Sequence, residues 1–164
     1  MDFIPNFFFH RIADIPLSFF LKEGIKGAIL DVDNTLTADE SPDVSKEVQD
    51  WINRLKESGV KPIVVSNNHQ PRVSRFADRI GLPYVHEAGK PSLKSLPQIL
   101  SVLELNIGEI VVIGDQIFTD TWFAKRAGIR SVLLEPIGKD VLLGVKIKRI
   151  LEKPFMKRIK RYRG

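Results

Sequence analysis

The sequence predicts an α/β domain built on a parallel sheet, and three observations predict it. Short apolar runs of strand length alternate with segments of helical period. The clearest runs are apolar at successive positions, as strands covered on both faces are. Several of them give way at their carboxyl ends to acids or small polar residues. Alternation of this kind argues for right-handed βαβ units, and 164 residues, 43% of them hydrophobic, suffice to bury the core of one domain.

Residues 1–24 form an aromatic arm. Six of the ten Phe fall within the first 21 residues (Phe3, Phe7, Phe8, Phe9, Phe19 and Phe20), broken by Pro5, Arg11, Asp14 and Pro16, so this stretch is not a regular helix. Two readings stand: an arm whose rings pack onto the sheet domain, or an interfacial segment, since Phe beside His10, Arg11 and Lys22 suits a membrane boundary.

Residues 25–137 read as the domain that carries the sheet and its helices. Gly27-Ala28-Ile29-Leu30 reads as its first buried strand, and it ends in two carboxylates, Asp31 and Asp33, separated by one residue. Loops at the carboxyl ends of strands in an open α/β sheet diverge into a ligand crevice. Two acids crowded there repel each other, which makes sense with a cation or a reaction to serve. A calcium loop would need Gly at its sixth position and Glu at its twelfth; Leu36 and Pro42 stand there, which excludes it.

After a polar turn over 37–45, a helix places Val48, Trp51, Ile52 and Leu55 on one face and stops near Gly59. A second strand over 60–65 runs into Ser66-Asn67-Asn68. The next helix carries Val73, Phe76, Ala77 and Ile80 and halts at Gly81, before a third strand over 82–85. Lys90 lies in the following loop, and a helix then packs Leu93, Leu96, Leu100 and Leu103. The fourth strand, over 110–113, ends in Gly114-Asp115-Gln116, with Thr119 and Asp120 opening a helix that holds Trp122 and Phe123. A fifth strand covers 131–134.

The strand-end loops therefore offer Asp31 and Asp33, Ser66, Lys90, and Asp115 with Asp120. Carboxylates, a hydroxyl and an ammonium are the parts for phosphoryl transfer assisted by Mg²⁺. A hard cation takes oxygen ligands, and the transferring group needs its charge neutralised and its oxygens held in line.

The motif order, Asp31-Val32-Asp33-Asn34-Thr35, then Ser66, then Lys90, then Gly114-Asp115-Gln116-Ile117-Phe118-Thr119-Asp120, resembles the haloacid dehalogenase-like (HAD) phosphatases over residues 25–135. The resemblance implies a Rossmann-like three-layer sandwich with a five-stranded parallel sheet in the order 3-2-1-4-5. It implies that Asp31 attacks phosphorus to form an aspartyl-phosphate and that Asp33 serves as general acid and then base. Mg²⁺ would be held by the Asp31 carboxylate, the Asp33 main-chain carbonyl and Asp115. Ser66 and a main-chain N–H such as that of Asn67 would bind phosphate oxygens. Lys90 would offset charge at the nucleophile, with Asp120 and Thr35 in support. Related dehalogenases and transporters carry other residues at position 33, so the resemblance implies phosphate-ester hydrolysis or transfer to another acceptor.

The gaps from Asp31 to Ser66 and from Ser66 to Lys90 leave no room for an inserted cap domain, so a large substrate, a partner or the aromatic arm must meet an open site. Residues 138–164 read as a basic amphipathic segment. From Lys146 onward nine Lys or Arg face one acid, Glu152, making this tail +8 within a chain of net +5. Leu143, Ile147, Ile150 and Leu151 form an apolar stripe that Phe155, Ile159 and Tyr162 continue past Pro154, a pattern suited to anionic lipid.

The whole layout is most similar to the capless group that includes phosphatidylglycerophosphate phosphatases. That similarity implies an anionic phospholipid substrate and membrane contact through the arm and the tail. The alternatives are a HAD phosphatase for a soluble or macromolecular ester, and an RNA- or ribosome-associated factor that uses the tail on phosphates. A phosphoacceptor receiver is disfavoured, because its acceptor Asp follows the third strand. No cysteine is present, which removes disulfides and thiolate metal sites. With no apolar run near the roughly 18 to 20 residues of a membrane span and no evident signal peptide, the expected place is the cytoplasm, peripheral to the inner face of the membrane.

Overall fold

The computed structural model describes residues 3–38, 41–139 and 143–163, with side chains in the last helix described through Met156 and at Ile159. Its centre is β2 (Gly27–Leu30), every residue of which is buried. On one side β2 pairs in parallel with β3 (Lys61–Val65), Leu30 opposite Val64; on the other it pairs with β5 (Ile110–Gly114), Leu30 opposite Ile113. Outside these lie β4 (Tyr84–Val85), β6 (Arg130–Leu134) and β1 (Phe7–Phe9), giving one parallel sheet in the order β1-β6-β5-β2-β3-β4.

The strand period of two sends alternate residues to opposite faces. Ala28 and Leu30 join the core under α1 (Leu17–Lys22), α2 (Lys46–Glu57) and α3 (Gln70–Ile80). Ile29 joins the core under α4 (Leu96–Leu103) and α5 (Trp122–Ala127). The four apolar residues expected on α2 and the four expected on α3 are all buried. Ser45 caps α2 by accepting the Val48 N–H at 3.2 Å, and Gly81 ends α3 in the left-handed region at φ 64°.

The five expected strands stand in the expected order, but the sheet has a sixth. The aromatic lead enters it as β1, with Phe7 opposite Val132 and Phe9 opposite Leu134. Phe7, Phe9 and Phe19 pack on the main core, Phe20 is buried in it, and Phe3 and Phe8 join a second cluster with Ile117 and Leu133. Of the two readings of this lead, the structure shows the packed arm: Phe20 is buried and the other five rings are half-buried against the sheet domain.

The chain runs outward from β2 to β4 and then returns to β5 on the other side of β2. The strand order thus reverses between β2 and β5, which places Asp31 and Asp115 side by side at the point where such sheets bind ligands. No domain is inserted between Asp31 and Lys90 among the described residues.

The last element, α6 (Leu143–Arg163), is one helix that runs on through Pro154. Its two expected apolar groups part ways. Phe155 and Ile159 turn inward against Phe3, Phe8 and Phe118, whereas Leu143, Ile147, Ile150 and Leu151 are 52 to 73% exposed. The Tyr162 side chain lies outside the described residues. No described helix is long and apolar enough to cross a membrane.

Candidate active site

Asp31 follows β2 directly, and its N–H continues the ladder to the Ile113 carbonyl at 3.0 Å. The chain then turns sharply through Asn34, at φ 59°, which folds Thr35 back so that its hydroxyl donates to Asp115 Oδ1 at 3.2 Å. Asn tolerates this left-handed backbone better than most residues.

Lys90 is 4% exposed and donates from Nζ to Asp31 Oδ1 at 2.8 Å and to Asp120 Oδ1 at 2.6 Å. A buried ammonium is tolerable only when paired in this way. Burial disfavours its charge, yet Asp120 and Asp31 outweigh burial and hold its pKa above the ordinary lysine value. The main chain of Lys90 is held by the Asn67 side chain, which donates to the Lys90 carbonyl at 2.9 Å and accepts the Lys90 N–H at 2.8 Å. The expected contribution of Asn67 was a main-chain N–H for phosphate; the structure gives its amide this second task.

Asp120 sits in a π-helical turn over Ile117–Thr121, between β5 and α5, where its second oxygen accepts the Gln116 N–H at 3.2 Å. Ser66 is buried at the end of β3, and its hydroxyl accepts the Asn68 N–H at 3.1 Å.

Asp31, Asp115 and Asp120 each present a carboxylate oxygen within 4.8 Å of the other two. Burial pushes Asp31 up to about 7, with Lys90 opposing the shift and Asp120 adding to it. Burial likewise raises Asp115 well above the ordinary carboxylate range, against the pull of Arg149. Three hard oxygen donors, crowded until their charges are disfavoured, fit a divalent cation that would relieve the crowding. Asp33 points elsewhere. Its carboxylate oxygens accept from Asn68 Nδ2 at 2.6 Å and from the Arg72 guanidinium.

Asp31, Asp33, Ser66, Asn67 and Lys90 line one pocket of about 190 Å³. Gln116 and Thr119 line it from the segment after β5, and α6 adds Val145 and Lys148. Arg149, the next residue, donates to the Asp115 carbonyl at 2.6 Å and to the Asp115 carboxylate. It also pairs with Glu152 at 3.3 Å, and Glu152 in turn accepts the Phe118 N–H at 3.0 Å. Glu152 is 1% exposed, and burial raises its pKa against the Phe118 N–H. Edge-to-face contacts among Phe3, Phe118 and Phe155, at 5.3 to 5.8 Å between ring centres, fasten the helix further along.

Sequence reasoning missed Asn68, Arg72, Arg149 and Glu152. Arg149 was hidden among the other bases of the tail. Glu152 carried a signal, as the one acid facing nine bases, and such an exception suggests a buried partner.

Residues 1–138 match the model of the family described as Mitochondrial PGP phosphatase. The chain is 31% identical over 159 residues to the Probable phosphatase YqeG of Bacillus subtilis, covering 97% of this chain and 92% of that protein. It is 26% identical over 127 residues to Phosphatidylglycerophosphate phosphatase 1, chloroplastic/mitochondrial, of Arabidopsis thaliana, covering 72% of this chain but 36% of that longer protein. Its fold is shared with a probable YrbI family phosphatase from Pseudomonas syringae, at a TM-score of 0.53 and 18% identity over 73% of this chain and 82% of that one. The family model takes in all six strands and every acid of the pocket, so the chain belongs to the Mitochondrial PGP phosphatase family within the HAD superfamily and is a phosphoric monoester hydrolase.

Proposed function

We propose that the enzyme removes the terminal phosphate of phosphatidylglycerophosphate at a membrane surface, leaving phosphatidylglycerol and orthophosphate, with Mg²⁺ as cofactor. The observation that carries this reading is the exposed stripe of Leu143, Ile147, Ile150 and Leu151 on the helix that walls the pocket. It sets an apolar surface beside a phosphate site that has no cap domain. The similarity to the Arabidopsis phosphatase and the family description support the same substrate.

In this reading an Asp31 oxygen attacks phosphorus while the bond from phosphorus to the ester oxygen breaks, and Asp33 protonates the departing alkoxide. Asp33 must first exchange its contact with Arg72 for the ester oxygen. Water then attacks the aspartyl-phosphate, giving its proton to Asp33, and orthophosphate leaves with Asp31 restored. Lys90 neutralises charge between nucleophile and phosphate, Asp120 orients Lys90, and Ser66 and the Asn67 main chain bind phosphate oxygens. Asp31, Asp115 and the Asp33 carbonyl would hold the Mg²⁺, which would supply positive charge against the negative charge of the phosphoryl oxygens. Thr35 steadies Asp115.

The test is Mg²⁺-dependent phosphate release from phosphatidylglycerophosphate in mixed micelles, beside a panel of soluble phosphomonoesters, with Asp31→Asn as control. Preferential lipid turnover, abolished in Asp31→Asn, is the expected result. Release from soluble esters alone would remove the lipid substrate and keep the phosphatase chemistry.

A further inference from the structure

We propose that Lys148 is a specificity-determining residue that binds a second anionic group of the substrate, beyond the phosphate that is hydrolysed. The inference deepens the function proposed above and rests on it for the reaction, though not for the lipid.

Lys90 is held by Asp31 and Asp120, Arg72 by Asp33, and Arg149 by Asp115 and Glu152. Each is already matched to a carboxylate. Lys148 also lines the pocket, is only half-buried, and has no carboxylate partner among the described residues. A pocket walled by Asp31 and Asp33 repels anions, and among the described residues Lys148 is the lining cation free to offset that repulsion.

Its position is fixed by neighbours on the same helix. Arg149 and Glu152 pin α6 to Asp115 and to the Phe118 N–H, so the backbone that carries Lys148 cannot drift from the pocket without breaking those bonds. One helix thus presents an ammonium to the pocket and, within the same two turns, Leu143, Ile147, Ile150 and Leu151 to the outside. The substrate that matches both is an amphiphile with two phosphates, one a monoester that reaches Asp31 and one that stays at the mouth. The chemistry recognised is a second phosphate, whether the phosphodiester of a phospholipid or the second monoester of a soluble bisphosphate.

The experiment compares full-length wild type, Lys148→Ala and Lys148→Arg in Mg²⁺, measuring kcat and KM on glycerol 1-phosphate, glycerol 1,3-bisphosphate and phosphatidylglycerophosphate in mixed micelles. Wild type should prefer the bisphosphate over the monophosphate by about tenfold in kcat/KM, expressed mainly in KM, as one charge-assisted hydrogen bond supplies. The preference should shrink with added salt. Lys148→Ala should bring the ratio close to one, and Lys148→Arg should keep most of it. An unchanged ratio in Lys148→Ala, or no preference in wild type for either doubly charged substrate, overturns the assignment. If the ratio collapses on the soluble pair while wild type leaves the lipid untouched, the assignment stands and the lipid substrate falls. If the lipid is turned over with the same KM by wild type and Lys148→Ala, the lipid stands and the assignment falls.

Discussion

Gly114 and Asp120 lie so close that a β-carbon at position 114 would collide with the Asp120 carboxyl group. A side chain of any size at the end of β5 would therefore push Asp120 off Lys90. Gly114→Ala should cost about 1–3 kcal/mol of stability through overpacking and, through misplacement of Lys90, lower kcat by roughly 10²-fold. Thermal unfolding and steady-state kinetics on one preparation check both.

Lys90→Met should be among the most destabilising single changes in this chain, because it leaves Asp31 and Asp120 buried without their cation. Breaking a buried ion pair from one side costs about 3–5 kcal/mol. Adding Asp120→Asn should recover part of that loss while activity stays low, and a double-mutant cycle by urea unfolding measures the coupling.

Stability in the absence of divalent metal should fall as pH rises through neutrality. The Asp31 carboxyl has an ordinary value of 3.8 and is raised to about 7 in the fold, and Asp115 and Glu152 shift in the same direction. Between those pH values the native state binds more protons than the unfolded chain, so unfolding becomes easier as pH increases. A divalent cation should reverse the trend, since metal ligation favours deprotonated carboxylates. The rise in Tm on adding Mg²⁺ to protein in EDTA should be larger at pH 7.5 than at pH 5.

Glu152→Ala should loosen α6 without touching the reacting groups. It strands the Phe118 N–H and removes one partner of Arg149, at a cost of about 1–3 kcal/mol. Faster amide exchange along α6 than along β5, measured by hydrogen–deuterium exchange, is the expected signature.

Replacing Ile147 and Ile150 together by Asp should weaken binding to anionic vesicles by more than tenfold, as each apolar side chain withdrawn from water contributes about 1.5–3 kcal/mol. Vesicle sedimentation reads the loss. Both side chains are more than half exposed, so Tm should change little.

The centre of the sheet and the acids at its edge were legible in the sequence because each signal was local. Gly27 to Leu30 is apolar throughout and stops at Asp31, and the helices on either side of β3 announce their faces by spacing. What escaped depends on contacts distant in sequence. Phe7 to Phe9 form a strand only because Val132 to Leu134 offer an edge more than 120 residues away. The partner of Arg149 lies 34 residues earlier, and a basic helix with an apolar stripe obeys the ordinary statistics of a surface segment. Composition described the outer face of α6 correctly and could not see the inner one.

The bonds from Arg149 to Asp115 also carry a temporal meaning. During synthesis the whole sheet, with Asp31, Lys90 and Asp115 in place, emerges from the ribosome before Arg149 does. Until α6 follows, one wall of the pocket is missing and Asp115 has no guanidinium beside it. The acids at the strand ends thus leave the ribosome ahead of the helix that completes the pocket beside them.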